Sequence, residues 1–312
     1  MKTVFLRIVI LVGFSTSIAR ADIYELTDGS MQLVGVSEIL RTQYEDIFIE
    51  IGRANNLGYE ELRLANPGID PWLPGDDAEV ILPKQFVLPQ GERKGIVINL
   101  AEFRLYYYYQ QDSKQYVATW PASIGRMDWD TPLGLTSIVA KAQNPSWYPP
   151  DSIRAEHLAD GREPLPRVVP PGPDNPLGQY ALRLGLPGYL IHGTNKPAGV
   201  GMRVTHGCIR LFPENIEWLF AKASTKTPVR IVNQAYKFGW AGDDIFLEVH
   251  PALEDESGSV SLSAVTRAYV AATGEGEAEL DWDLVMQTAE QARGIPVAVG
   301  RRVQISEYSG AQ

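Results

Sequence analysis

The chain has 312 residues and a formal net charge of -10 at pH 7. A protein this acidic repels phosphate backbones and anionic lipid headgroups, which excludes nucleic acid as a partner. Its length is enough for about two domains, and its one cysteine excludes an internal disulfide.

The start of the chain has the composition of a secretory signal peptide. Lys2 and Arg7 are basic, residues 8–14 form an apolar run, and residues 19–21 (Ala-Arg-Ala) supply a cleavage site. The run is shorter than the ~20 residues that a membrane helix needs, and no later segment supplies one. We therefore expect residues 1–21 to be a signal peptide and the rest of the chain to be exported, with no membrane span.

Residues 42–89 combine a helical pattern with a short strand. Ile47, Ile51 and Leu57 recur at helical spacing, and residues 79–83 are predicted to form a strand. This stretch resembles a LysM-like module, a small α+β unit that binds glycans containing N-acetylglucosamine. It lacks the usual opening of that module, so a helical spacer without a ligand is the alternative.

Strand signals dominate from residue 95 to residue 233. Residues 95–100, 103–109 and 116–125 are rich in β-branched and aromatic side chains, with turn residues between them. Prolines are so frequent over residues 144–178 that regular secondary structure should be largely interrupted, and we expect a long ordered loop over the sheet.

The C-terminal segment, residues 234–312, begins with a strand-like stretch and then becomes polar and acidic. We expect a strand over residues 244–250 and amphipathic helices near residues 262–272 and 281–293. His250 lies beside a proline and is interpreted as a surface or packing histidine.

The one thiol lies close in sequence to two of the four histidines. His192 ends an apolar strand at a glycine, and Cys208 opens a second apolar strand after Gly207. If the two strands are neighbours, the imidazole and the sulfur come within the reach that a base and a nucleophile require. This pattern predicts nucleophilic catalysis by Cys208 with His192 as its base.

The charges around Cys208 predict a reactive thiolate. No carboxylate occurs over residues 185–213. The basic side chains of that stretch include His192, Arg203, His206 and Arg210. A positive field stabilises the thiolate, so we expect the pKa of Cys208 to lie below that of an ordinary thiol.

Two alternatives are open for this thiol. Free cysteines are among the most buried residues, so Cys208 is an inert core residue in the first alternative. In the second, His192, His206 and Cys208 bind zinc, with water as the fourth ligand. Against zinc, the chain has no His-Glu-x-x-His motif, and the nearby arginines repel a cation. We therefore predict no metal and no cofactor.

Two motifs resemble the signature of the L,D-transpeptidases, the YkuD-type catalytic domain: residues 192–194 (His-Gly-Thr) and 205–210 (Thr-His-Gly-Cys-Ile-Arg). The likeness extends over most of residues 95–233, and segments such as 130–134 and 147–150 resemble the periplasmic Gram-negative branch. It implies a mainly β fold, with a mixed β-sandwich catalytic domain. A small α+β LysM-like module would precede it, a partly helical C-terminal segment would follow it, and the location would be the periplasm.

The resemblance also implies a two-step reaction on peptidoglycan. Cys208 would attack the carbonyl of the third residue of a tetrapeptide stem, release the terminal D-alanine and keep the acyl group as a thioester. His192 would take the thiol proton and later return one to the leaving amine. Carbapenem-type inhibitors would acylate the same sulfur.

The other site residues take their roles from the same resemblance. The amides of Gly207 and Cys208 would form the oxyanion site, and a backbone carbonyl near His206 would orient the imidazole. Arg210 would hold a stem carboxylate by two parallel bonds, unless it is a structural arginine in a salt bridge. The oxyanion and orienting group comprises Thr205, His206 and Gly207. The substrate-binding group comprises Gly193, Thr194 and Arg210.

The resemblance leaves the acceptor open. Another stem peptide, or a lysine of an envelope lipoprotein, would make the chain a transpeptidase. Water would make it an L,D-carboxypeptidase, or a hydrolase of peptidoglycan or of lipoprotein–peptidoglycan links. In an alternative of another class, the chain is mainly a wall protein that binds glycan through residues 42–89, and its catalytic half is degenerate. That alternative requires a broken catalytic motif, whereas the motif of this sequence is intact.

Overall fold

The structure is a computed structural model that describes residues 22–28, 31–126, 129–253, 260–273 and 278–303. The predicted signal peptide, residues 1–21, lies outside the described residues. No helix in the described ranges is long and apolar enough to cross a membrane.

The first ten strands are β1 Asp22–Leu26, β2 Leu33–Gly35, β3 Glu38–Arg41, β4 Glu79–Leu82, β5 Gln85–Val87, β6 Gly95–Asn99, β7 Arg104–Gln111, β8 Lys114–Pro121, β9 Ile124–Gly125 and β10 Gly134–Gln143. The remaining strands are β11 Tyr180–Leu184, β12 Leu190–His192, β13 Arg203–Thr205, β14 Ile209–Arg210, β15 Pro228–Val232, β16 Tyr236–Ala241, β17 Asp244–Val249, β18 Ala278–Leu280 and β19 Val297–Arg302. The helices are α1 Phe48–Ala54, α2 Tyr59–Ala65, α3 Asp151–Ala159, α4 Pro213–Lys222, α5 Leu262–Thr273 and α6 Trp282–Gln291, with a 3-10 turn at Pro197–Gly199.

A nine-stranded mixed sheet forms the centre of the molecule, in the order β1-β8-β7-β6-β15-β10-β11-β12-β14. Its pairs are antiparallel except β6–β15 and β12–β14, which are parallel. The predicted mainly β fold is confirmed. The edge strand β1 was not predicted, because a short strand far from its partner in sequence acquires its role only by pairing with β8.

The two faces of this sheet pack against different elements, as the alternation of side chains along a strand requires. On β7, Leu105 and Tyr107 join a core that α4 covers. Tyr106 and Tyr108 join a second core, which α1 and α2 cover. The sheet is therefore the middle layer between α4 and the helices of the N-terminal module.

The N-terminal module has the order β3-α1-α2-β4, and its two strands pair in antiparallel fashion. Its first strand, Glu38–Arg41, lies before the predicted boundary at residue 42. Glu61 of α2 forms a buried ion pair with Arg104 of β7, with Oε1 2.6 Å from Nε and Oε2 3.0 Å from Nη2. Separating the module from the sheet would leave both charges buried without a partner, which is costly. The ion pair therefore holds the module on the sheet.

The proline-rich stretch at residues 144–178 is ordered, but it contains a helix that was not predicted. Helix α3 begins directly after Pro150, a position where proline is compatible with helix because the first helical N–H groups need no internal partner. The Asn175 side-chain amide donates to the carbonyls of Pro145, Val169 and Pro170. These bonds hold the two ends of the segment together.

The C-terminal segment forms a small α+β unit with its own core. Its sheet has the order β16-β17-β19-β18, and α5 and α6 pack against it. The predicted strand corresponds to β17, and the predicted helices correspond to α5 and α6, which confirms all three.

A buried charged group joins this unit to the rest of the protein, and we call it the junction cluster: Glu102, Lys237, Glu248 and His250. The Lys237 ammonium contacts the Glu102 carboxylate and lies 2.9 Å from Oε1 of Glu248. His250 Nε2 lies 2.7 Å from the same Glu248 oxygen. The prediction of a surface position for His250 is wrong, because that side chain is only 5% exposed; the packing alternative is the correct one.

Lys237→Met should destabilise the protein strongly, because it leaves two buried carboxylates without their ammonium partner. Breaking a buried ion pair in this way costs ~3–5 kcal/mol of unfolding free energy. Urea unfolding measures the change. Lys114→Met, which breaks an exposed pair with Glu25, is the matched control and should change the midpoint little. Equal midpoints for the two variants would contradict the role of the junction cluster.

Candidate active site

Neighbouring strands bring the two predicted catalytic residues together. Strands β12 and β14 pair in parallel, with His192 opposite Arg210. Cys208 comes two residues before Arg210 and therefore lies level with Leu190 of β12. The two strands are therefore neighbours, which is the condition that the sequence analysis set for a base and nucleophile pair.

A cavity of about 1000 Å³ lies over this end of the sheet. Its floor consists of side chains from β10, β11, β12 and β14: Ala140, Ala142, Ala181, Arg183, Leu190, His192 and Arg210, with Cys208 beside them. Residues of α3 and of the proline-rich segment line the opposite side. The volume is large enough for a peptide-sized ligand.

Burial keeps the His192 imidazole neutral. Burial and then the charge of Arg210 lower its pKa to about 4, against a smaller opposing effect of the Gly193 and Leu177 backbone carbonyls. Nδ1 of His192 lies 2.6 Å from the Gly193 carbonyl oxygen. Because a carbonyl only accepts, Nδ1 carries the proton in the neutral ring and the lone pair lies on Nε2. The ring is therefore a neutral base, oriented by the Gly193 carbonyl; the prediction of an orienting carbonyl near His206 is wrong.

Burial also keeps Cys208 protonated, so the predicted resting thiolate is wrong. Burial raises the pKa of the thiol, and a hydrogen bond from the Leu190 backbone and the charge of Arg210 offset only part of that effect. The S–H group donates to the Gly188 carbonyl across 3.6 Å. Desolvation outweighs the nearby cations that the sequence shows. The residue is nevertheless half-buried and lines the cavity, unlike an inert core cysteine.

Hydrogen bonds to carbonyl groups fix the turn before the cysteine. Thr205 Oγ1 donates to the Cys208 carbonyl across 2.6 Å, and Thr131 Oγ1 donates to the Gly207 carbonyl across 2.9 Å. Gly207 has a φ of +95°, and a Cβ there would lie 2.7 Å from the Tyr189 ring, so only glycine fits. None of these bonds uses the N–H of Gly207 or Cys208, which leaves both donors available for an oxyanion.

His206 binds a carboxylate that is remote in sequence. Its Nε2 lies 2.8 Å from Oε2 of Glu156, and its ring packs edge-on against Trp129 with 5.1 Å between centroids. Glu156 also pairs with Arg126, whose hydrogen bond is the main cause that lowers the Glu156 pKa to about 2. The predicted hydrogen-bonding role of His206 therefore fits its contacts better than proton transfer does.

The contacts of Glu156 hold helix α3 over the cavity. Helix α3 has no buried side chain, so core packing does not keep it in place. Glu156 ties the helix to Arg126 and to His206, which also lines the cavity. Sequence reasoning missed Glu156 because it lies in the proline-rich segment; a carboxylate within a helix-forming stretch was the only available signal.

Arg210 is mostly buried but has no ion pair with any described residue. Its Nε has no hydrogen-bond partner, and burial lowers the pKa of its guanidinium. The alternative in which Arg210 is a structural arginine in a salt bridge is therefore wrong. A desolvated guanidinium with free donors favours a ligand carboxylate.

Gly193 and Thr194 form the turn behind the base. The Gly193 N–H donates to the Tyr180 carbonyl across 3.1 Å, while its own carbonyl orients His192. Thr194 Oγ1 accepts from the Lys196 N–H across 2.9 Å, and the residue lines the cavity. Gly193 thus acts through His192, whereas Thr194 is placed to contact a ligand.

The zinc alternative lacks a converging set of ligands. Among the described residues, His192, His206 and Cys208 do not bring three ligand atoms together. Nδ1 of His192 is engaged by Gly193, and Nε2 of His206 by Glu156. Three members of the junction cluster do converge, but they already enclose the ammonium group of its lysine.

Comparison with known proteins agrees with this geometry. Residues 93–231 match the family model of the YkuD L,D-transpeptidase catalytic domain. The chain is 36% identical to the probable L,D-transpeptidase YcfS of Escherichia coli strain K12, over 98% of each chain. The chain belongs to the L,D-transpeptidase family.

Two further comparisons describe the extent of the similarity. The probable L,D-transpeptidase YbiS of Escherichia coli strain K12 is 37% identical, over 95% of this chain and 98% of that protein. The crystal structure of L,D-transpeptidase 3 from Mycobacterium tuberculosis aligns with a TM-score of 0.32 and 17% identity, over 49% of this chain and 66% of that chain.

For this L,D-transpeptidase, kcat/KM should rise with pH through about 4 and then stay level past neutrality. His192 must be neutral to accept a proton, and its lowered pKa of about 4 sets the rising limb. The falling limb should lie above the ordinary range of a thiol, because burial raises the pKa of Cys208. A pH–rate profile measures both limbs. A rising limb near ~6.5, the value of an exposed histidine, would contradict a buried neutral base.

Glu156→Gln should open the site. The carboxamide keeps the shape of the side chain but loses the ion pair with Arg126 and the charged hydrogen bond to His206. Iodoacetamide should then alkylate the single thiol several-fold faster than in the wild type, and the α3 amides should exchange faster. Asp160→Asn, which removes an exposed pair with Arg162, is the control. Alkylation rates that match between the two variants would show that Glu156 does not hold the helix.

Proposed function

We propose that the chain is an exported enzyme that transfers the acyl group of peptidoglycan tetrapeptide stems through a thioester on Cys208. One observation carries the proposal. The neutral imidazole of His192 at the end of β12 and the only thiol of the chain, directly before the adjacent strand β14, line the same cavity. Such a pair supports acyl transfer by nucleophilic catalysis.

In the first step, Sγ of Cys208 attacks the carbonyl carbon of the third stem residue while Nε2 of His192 takes the thiol proton. The free N–H groups of Gly207 and Cys208 would bind the oxyanion that forms. As the C–N bond breaks, the imidazolium gives its proton to the leaving nitrogen. The terminal D-alanine departs and the thioester remains.

In the second step, an acceptor amine attacks the thioester carbonyl and His192 takes the proton of that amine. As the C–S bond breaks, the imidazolium gives this proton to the leaving sulfur, which restores the neutral thiol and imidazole. In the first step, Arg210 would hold the stem carboxylate, since its guanidinium has no ion pair with any described residue and its Nε has no hydrogen-bond partner there. Thr194 would contact the stem from the cavity wall. A carbapenem-type inhibitor would acylate the same sulfur.

The proposed acceptor is an amine, either of a second stem peptide or of an envelope-lipoprotein lysine. The burial around the sulfur and the cover of α3 favour an amine over water, because a covered site limits hydrolysis of a reactive intermediate. Water as the acceptor would make the chain an L,D-carboxypeptidase or a hydrolase. The signal-peptide pattern of residues 1–21 supports a periplasmic location.

We further propose that the N-terminal module binds wall glycan. Tyr44, Trp72 and Leu73 are 75%, 54% and 71% exposed. They lie in the loops before α1 and after α2, which a hydrogen bond from the Phe48 N–H to the Pro71 carbonyl joins. Neighbouring exposed aromatic rings provide apolar faces on which sugar rings stack.

Cys208→Ala should abolish release of D-alanine from purified tetrapeptide muropeptides and leave the fold intact. Without the sulfur, no thioester forms. Mass spectrometry of products, with and without an added amine, detects the exchange and separates transpeptidation from hydrolysis. Far-UV circular dichroism shows whether the variant is folded. Wild-type rates in a folded Cys208→Ala protein would rule out the mechanism.

Trp72→Ala should weaken cosedimentation with purified sacculi several-fold, because it removes a stacking surface while leaving the catalytic cavity unchanged. The matched control is Trp282→Ala, which removes a tryptophan of similar exposure from the C-terminal unit. If both variants sediment like the wild type, the module is a spacer.

A further inference from the structure

A second arginine faces the cavity, and the proposed mechanism does not use it. Arg183 of β11 lies opposite Leu190 of β12, and Leu190 lies level with Cys208 on its other side. All three residues line the cavity, as lateral neighbours on one face of a sheet should. Because adjacent strands are ~4.8 Å apart, the Cα atoms of Arg183 and Cys208 are separated by about 10 Å.

The guanidinium of Arg183 is available to a ligand as far as the described part of the chain is concerned. The residue is exposed, and its side chain forms no hydrogen bond or ion pair with any described residue. Its partner on the other side, in β10, is Ala140, and Ala181 precedes it by two residues on the same face. Small neighbours on the floor of the cavity leave the guanidinium free to meet a ligand.

The cavity has an excess of positive charge although the protein is acidic. Arg210 and Lys196 also line it, and neither has an ion pair within the described ranges. Of the two acids on the lining, Glu156 is neutralised by its own partners. This leaves Asp174 against four cations that have no ion pair with any described residue: Lys141, Arg183, Lys196 and Arg210. An anionic ligand with more than one carboxylate complements this distribution.

We propose that Arg183 binds a second carboxylate of the donor stem, on the acyl side of the bond that Cys208 attacks. The inference rests on the proposed function. The carboxylate of the leaving residue is only three bonds from the reacting carbonyl carbon, so it suits Arg210, near the base. Arg183 is two strands away from Cys208 and suits the carboxylate of an acidic residue that precedes the third stem residue.

Binding measured on the Cys208→Ala protein tests this assignment without turnover. The ligands are a tetrapeptide stem whose second residue has a free carboxylate and the same stem with a carboxamide there. Cys208→Ala should bind the free acid about tenfold more tightly than the amide. In Cys208→Ala/Arg183→Gln the ratio should fall close to one, because the amide does not use the guanidinium.

The control is Cys208→Ala/Arg301→Gln, which removes an arginine that is 81% exposed in the C-terminal unit and should keep the tenfold ratio. The inference is overturned if Cys208→Ala/Arg183→Gln keeps the tenfold affinity ratio. It is also overturned if Cys208→Ala itself binds the free acid and the amide equally well. Turnover by the wild-type enzyme tests the proposed function separately. If the affinity ratio of free acid to amide depends on Arg183, the carboxylate subsite is supported even when the wild-type enzyme releases no D-alanine. If the wild type releases D-alanine but the affinity ratio does not depend on Arg183, only the proposed function is supported.

Discussion

Removal of a thiol and an imidazole from water is the constraint on which the chemistry of this site depends. Both groups are neutral at rest, because burial lowers the pKa of His192 and raises that of Cys208. A neutral pair costs less to bury than a thiolate and an imidazolium would. Charge therefore develops during the attack on the substrate, where the oxyanion donors and Arg210 can stabilise it.

The layers of the fold produce this burial. The strands that carry the pair belong to the same sheet that α4 covers on one face and the N-terminal module on the other. The proline-rich segment contributes twice. Through Glu156 it places α3 over the cavity, and at its end Gly178 packs so closely on the turn after the base that a Cβ would lie 2.8 Å from the Thr194 nitrogen.

Much of the site could be predicted from sequence because its central elements are local. An apolar strand that ends in His192 and a turn that ends in Cys208 are visible as patterns. Their adjacency was a condition of the prediction, and the parallel pairing of β12 and β14 meets it. The direction of the thiol pKa could not be predicted in the same way. Charges can be counted along a sequence, but desolvation depends on what packs around the sulfur in space.

The features that were missed are those set by long-range contacts. Glu156 reaches His206 across 50 residues of chain, and helix α3 is hidden among prolines that would interrupt a helix elsewhere. His250 acquires its buried position only when Lys237 and Glu248 fold onto Glu102. In each case the local sequence pattern gave no distinctive signal, and contacts with residues distant in sequence determine where the side chain or helix lies.

A pH titration of thiolate absorbance is the most direct test of a neutral resting pair. Since the chain has one cysteine, the difference between the wild-type and Cys208→Ala spectra isolates that thiol. Thiolate should be absent at neutral pH and appear only above the ordinary thiol range, ~8.5. Full thiolate absorbance already at pH 6 would contradict a site in which burial, rather than local charge, sets the protonation of the nucleophile.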